Sequence, residues 1–396
     1  MSIGWSRTRQ SPIAIDFGAD TIKLLQVTPG DPPQFVAAAS IEVPQAARTI
    51  MSARAAFASE AIAGAVREHG FRGKRAICSI PAFQTIVQNL QVAHGDPSDL
   101  DDRVGEKLGQ HIDTDPARLV IRSFPVDTGQ EGGGKLEVVC MAAARDAVMN
   151  TIQIVRRARL EVVGLHCEPV AIVAAFRHLY RRKDDTALTT AFIDIGAATS
   201  KVVITHGSEI VFAKAIHAAG DHFTRHYAKL HDVSFAEART ARISQAAETG
   251  TPGETPAPPR QPAGGIREMG ARGAGRPTGM AVLAAPSTDA ADDEAEGDAL
   301  ECLVDELNLC VRYHRNLFPD RSIDKLVFLG GEARHVTLCQ QIAQALQIVA
   351  QAGDPLARLI RGREGAKAPD SPGVDLRRAQ PGWAVPMGLC LSETNL

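Results

Sequence analysis

Two stretches of this chain, far apart in sequence, carry five residue types at one spacing. The first runs Asp16-Phe17-Gly18-Ala19-Asp20-Thr21-Ile22-Lys23 and the second Asp194-Ile195-Gly196-Ala197-Ala198-Thr199-Ser200-Lys201. Asp, Gly, Ala, Thr and Lys recur in register. That set suits an anionic oxygen. A glycine admits close approach of the backbone and φ values other residues avoid. Successive amide N–H groups in such a turn can face phosphate. The Thr hydroxyl adds a donor and Lys a charge, while an Asp at the strand end can hold Mg²⁺ directly or through water. Candidate ligands are therefore Gly18, Ala19, Asp20, Thr21 and Lys23 in one copy, and Gly196, Ala197 and Thr199 in the other, with Asp16 and Asp194 for the metal. A third turn, Leu329-Gly330-Gly331-Glu332, has a diglycine that would pass closely over adenine or ribose. Neither a P-loop nor a dinucleotide-binding glycine fingerprint is present.

Each copy needs a hairpin to hold it. IAIDF and TIKLLQV flank the first turn, TAFIDI and KVVIT the second, all apolar runs of strand length. Helical spacing follows in ASEAIAGAVREHG, DAVMNTIQIVRRARL, AIVAAFRHLYRR, GDHFTRHYAKL, SFAEARTARISQAA and ALECLVDELNLCVRYHRNL. The last segment, WAVPMGLCLS, is broken by Pro and Gly and reads as a short closing piece. From 248 to 297 the chain turns to Gly, Pro, Ala and acid, with little to bury, and is expected to be a linker.

The 396 residues suffice for two cores. With 43 basic and 46 acidic side chains, nothing in the overall charge calls for nucleic acid. No run approaches the ~20 apolar residues of a membrane span, and the N-terminus does not read as a signal peptide. The seven cysteines show no CxxC spacing, and buried reduced thiols are expected. His217, His222, His226 and His231 cluster, yet no carboxylate or cysteine completes a metal pattern with them.

With these motifs the sequence resembles the actin/Hsp70/sugar-kinase superfamily, and within it the type IV pilus assembly protein PilM family, related to FtsA. Asp16–Lys23 is similar to the family's first phosphate loop and Asp194–Lys201 to its second. The stretch from Cys167, with Glu168 before Pro169, resembles the connecting helix, FLGGEA the adenosine motif, and WAVPMGLCLS the final segment. The resemblance implies an α/β fold of the actin-like (ribonuclease H-like) kind, two lobes closing on ATP and Mg²⁺, with a small subdomain inserted in the first. The first lobe would span 12–182, its subdomain about 89–157, and the second lobe 183–396. It further implies a cytoplasmic scaffold that binds the N-terminal cytoplasmic peptide of a PilN-like inner-membrane protein and so meets the membrane only through a partner, in pilus assembly or type II secretion. Glu168 would position an attacking water, or simply sit at a helix N-terminus where the dipole favours it.

The chain departs from the family pattern at three places. Ala219-Gly220 replaces a diglycine, which leaves Gly220 as the candidate. Glu332 stands where a glycine is usual, where it would bond to ribose or repel phosphate. Asp20 would repel phosphate unless a metal or Lys23 offsets it. Two other readings stay open: a filament-forming, self-associating FtsA/MreB-like protein, and a small-molecule kinase, which would need a positioned Asp base.

Overall fold

The computed structural model describes residues 10–112, 114–129, 135–180, 183–248, 299–360 and 373–396. The stretch read as a linker at 248–297 falls, from 249 on, outside the described residues.

The chain begins with a meander, β1 (Ile13–Phe17), β2 (Thr21–Thr28) and β3 (Gln34–Glu42), followed by α1 (Gln45–Thr49) and α2 (Met51–Glu68) and then β4 (Arg75–Ile80). Next come β5 (Thr85–Ala93), α3 (Leu100–Gly109), β6 (Leu119–Val126) and β7 (Lys135–Ala144), then α4 (Arg145–Arg157), β8 (Glu161–Cys167) and α5 (Glu168–Phe176). The plan then repeats: β9 (Thr189–Ile195), β10 (Ser200–His206) and β11 (Glu209–Ile216), α6 (Gly220–His231), α7 (Phe235–Glu248), α8 (Ala299–Leu317), β12 (Lys325–Leu329), α9 (Val336–Leu346), β13 (Ala350–Ala352) and α10 (Ala384–Leu391).

The two large sheets have one topology. Their orders are β3-β2-β1-β4-β8 and β11-β10-β9-β12-β13, an antiparallel meander continued by two parallel strands. Both faces of each sheet are covered, so successive residues of a strand enter different cores. Ile13, Ile15 and Phe17 pack with α2 and α4, whereas Ala14 faces the interior between the lobes. In the second lobe Ile193 joins α6, α8 and α9, while Phe192 faces inward. The inward layer is α5 and α10, which pack on each other between the two sheets.

A small three-stranded sheet, β5-β7-β6, interrupts the first lobe between β4 and β8. One face of β7 (Val138, Cys140, Ala142) packs on α3, and the other (Val139, Met141) joins the core of the second lobe. Asn89 Nδ2 donates to Ala213 O of β11 at 3.0 Å. This subdomain belongs to the first lobe by chain order and leans on the second. The expected range 89–157 also takes in α4, whose Ile154 and Val155 pack with Ala58 and Ile62 of α2 in the first-lobe core.

The closing segment differs from expectation. It forms α10, because Pro386 falls in the first turn, where its missing N–H costs nothing. Gly388 is the contact point: a Cβ there would overlap the Ala171 carbonyl of α5. The expectation of buried cysteines needs correcting at two positions. Cys302 lies on the exposed side of α8, where the helix needs no apolar residue, and Cys167 is only half-buried.

Candidate functional site

The two Asp-Gly turns open into a single cavity of about 1030 Å³ between the lobes. Gly18, Ala19, Asp20, Thr21 and Lys23 line it from the first lobe, and Gly196, Ala197 and Thr199 from the second. Asp16, Asp194 and Glu168 form its floor, while Gly220, Gly330, Gly331 and Glu332 complete the second-lobe wall. The sequence candidates therefore converge from five separate stretches of chain.

The turns themselves are matched. In each, a Cβ on the glycine would crowd the carbonyl of the following Thr, at 2.8 Å for Gly18 and 3.0 Å for Gly196. In each, the next two carbonyls are engaged from outside. Arg54 of α2 donates to Gly18 O at 2.5 Å and to Ala19 O at 3.0 Å. In the second lobe the first amides of α6 do the same work: Gly220 N donates to Gly196 O at 2.9 Å and Asp221 N to Ala197 O at 2.8 Å. Gly330 is held at φ +87°, where a side chain would strike the Ile195 carbonyl.

Strand register puts each lysine opposite the aspartate of its own hairpin, Lys23 against Asp16 and Lys201 against Asp194. The two then diverge. Lys23 Nζ donates to Gly382 O at 2.6 Å. Lys201 Nζ lies 2.6 Å from Glu168 Oε2 and 3.0 Å from Asp194 Oδ2. The other oxygen of Glu168 accepts from Ala82 N at 2.8 Å. Asp16 accepts from Ser79 Oγ at 3.0 Å, and its carboxyl is pushed up to about 6 by burial and then by the charge of Glu168. Burial also lowers the Lys23 ammonium, with Asp16 and Asp194 opposing. For Lys201 burial again acts downward, but Asp194 and Glu168 outweigh it and the ammonium is held charged.

The acidic side chains at the cavity wall have partners. Asp20 Oδ2 is 2.7 Å from Arg239 Nη2, and its other oxygen pairs with Arg48. Glu332 Oε2 is 2.5 Å from Arg242 Nη2. Both arginines come from α7, whose Arg239, Arg242, Ile243 and Ala246 line the cavity. The sequence reading found this helix but not its role. Its i, i+3, i+4, i+7 face was the available signal.

The carboxylates Asp16, Glu168 and Asp194 bear on Mg²⁺. They suit a hydrated ion reaching Asp16, but Lys201 stands on the free oxygens of Asp194 and Glu168. Among the described residues no group of three or more His, Cys, Asp or Glu is arranged to hold a metal.

Residues 14–251, more than half of the chain, match the type IV pilus assembly protein PilM family. The chain belongs to this family. No curated protein sequence matches it. A solved PilM-PilN type IV pilus biogenesis complex is similar over 96% of this chain and 98% of that one, with TM-score 0.69 at 18% identity, a likeness of fold. The ethanolamine utilization protein EutJ from Carboxydothermus hydrogenoformans gives TM-score 0.49 at 14% identity over 97% and 89% of the two chains. MreB 5 of Spiroplasma citri bound to AMPPNP gives 0.42 at 11% over 96% and 95%. This PilM-family chain has an actin-like fold of two lobes that share one sheet topology. None of its helices among the described residues is long and apolar enough to cross a membrane.

Proposed function

We propose that this chain is an adenine-nucleotide-binding scaffold of a type IV pilus or related secretion complex. In this reading ATP lies in the cleft, with its phosphates between the two turns and its nucleoside beside Gly330-Gly331 and α7. The chain works at the cytoplasmic face of the inner membrane, where it binds the N-terminal peptide of a PilN-like protein. The observation that carries the reading is the convergence of two matched Asp-x-Gly-Ala-x-Thr turns on one cavity. The small sheet supports the scaffold role, since it spans the lobes and would feel their closure.

In this reading Glu168 is a positioning residue. With Ala82 N on one oxygen and Lys201 on the other, it anchors an ammonium in preference to orienting a water. Mg²⁺, when bound with the nucleotide, would add charge neutralisation beside Asp16.

Gly331 offers a clean test. It sits on the cavity wall, and a Cβ there meets nothing within 4 Å. Gly331→Leu should fold normally and fill the nucleoside space. Calorimetric titration with ATP should show binding by the wild type and a loss of at least about tenfold in the variant, about 1.4 kcal/mol. Equal affinity in both, or none in the wild type, would exclude this cleft. With the site established, titration of the PilN-like peptide with and without ATP tests the scaffold.

A further inference from the structure

We propose that Lys201 is the resident cation of this cleft: its ammonium takes the place beside Asp194 and Glu168 that a divalent ion would take, so that a polyphosphate is held there without reliance on magnesium. The proposal deepens the nucleotide reading above and rests on it.

Four observations lead there. First, the ammonium is enclosed. The side chain of Lys201 is 9% exposed, and those of its partners Glu168 and Asp194 are 5% and 8% exposed. Removing one member of an ion pair that lies out of water leaves an uncompensated buried charge, so the partners stay together. Second, the position is fixed from both ends. The β9–β10 register sets Lys201 across from Asp194, and Glu168 is itself pinned by Ala82 N. Third, the arrangement is specific to one lobe. The first hairpin has the same Asp–Lys register, yet Lys23 turns to the Gly382 carbonyl. Glu168, at the start of α5, pairs with Lys201 and not with Lys23. Fourth, the ammonium lies under the second turn. A Cβ on Gly196 would be 3.8 Å from Lys201 Nζ, and both residues line the cavity. An ammonium has three N–H donors. Two face carboxylates, and the third remains for a phosphate oxygen cradled by Gly196 and Thr199.

A divalent ion seeking Asp194 or Glu168 would meet this charge at contact distance. Like charges so close repel strongly where water is scarce. The carboxylates would have to give up Lys201 first, and it would be left buried and unpaired.

The test has two arms on the full chain. ATP affinity is measured in magnesium and in excess EDTA. The proposal expects the two dissociation constants to agree within about threefold, a small difference on the affinity scale. Binding weaker by about tenfold or more in EDTA would overturn it. The second arm needs no nucleotide. Free Mn²⁺ is followed by its electron paramagnetic resonance signal during titration of the protein. The wild type should retain no ion beside Asp194 and Glu168, that is, none that Asp194→Asn releases. Lys201→Met, which keeps most of the side-chain length and removes the charge, should retain one, and Asp194→Asn added to it should release that ion. Manganese held by the wild type and released by Asp194→Asn would overturn the proposal. If Lys201→Met does not fold, the wild-type measurements in both arms decide. If ATP binds in neither condition the nucleotide reading falls, while the manganese arm still reports on Lys201.

Discussion

Arg242 shows how a single residue can make an ill-placed charge acceptable. Glu332 sits beside Gly331 on the cavity wall, where a lone carboxylate would repel an anion. It is instead closed off by Arg242, which also donates to Thr224 Oγ1 at 2.9 Å and Gly220 O at 3.1 Å. Side-chain exposures of 11% and 16% place this pair well inside. Breaking such a pair from one side costs more than removing both members. Arg242→Ala should therefore weaken ATP binding by about tenfold and lower stability by about 2–3 kcal/mol, because Glu332 is left bare. Adding Glu332→Ala should recover most of both losses. Calorimetry and thermal melts on the three variants check this, and a double variant no better than Arg242→Ala would refute the pairing argument. From sequence, Glu332 was visible as a departure and its partner was not, because Arg242 lies 90 positions away.

The elements were legible where local pattern and tertiary demand agree. Both hairpins could be read because their turns need glycine and their strands need apolar residues, wherever they end up. The helix α10 could not, since Pro386 and Gly388 are breakers in isolation. They are permitted by position: Pro386 lies in the first turn, and Gly388 faces α5. That close crossing sets the inter-lobe layer. Gly388→Ala should force α5 and α10 apart and cost about 3 kcal/mol or more, the upper range for overpacking, although alanine favours helix. A chemical denaturation curve measures it, and a neutral or stabilising result would mean the helices can separate freely. Histidines make the same point about distance. His206 and His314 meet with their Nε2 atoms 3.0 Å apart, each pushed down to about 4, chiefly by burial. Nothing local links two residues 108 positions apart.

At the scale of the whole molecule, what matters is how the lobes are held over the cavity. Their shared interior is apolar: α5 and α10 lie between the sheets, with Trp383 and Phe192 fully buried there. The mouth is different. Arg239 reaches from α7 of the second lobe to Asp20 and Glu42 of the first, at 2.7 and 2.9 Å, and Arg48 joins the same two acids. Asp20 and Arg239 line the cavity, so this polar cluster sits where a ligand must pass. Its members are partly in water, with Arg239 at 23% and Glu42 at 68% exposure, so its strength is modest. A pair of this kind is worth about 0.5–1 kcal/mol, which corresponds to a two- to fivefold change in rate if it is broken on opening. Arg239→Ala should leave the fold stable, since α7 keeps its packing on α6, and should speed nucleotide release by about that factor, with rising salt doing the same to the wild type. Stopped-flow displacement of a fluorescent ATP analogue reads both. If release from the variant is unchanged and the wild type is insensitive to salt, the arginine does not bar the exit, and retention must come from the hydrophobic layer beneath.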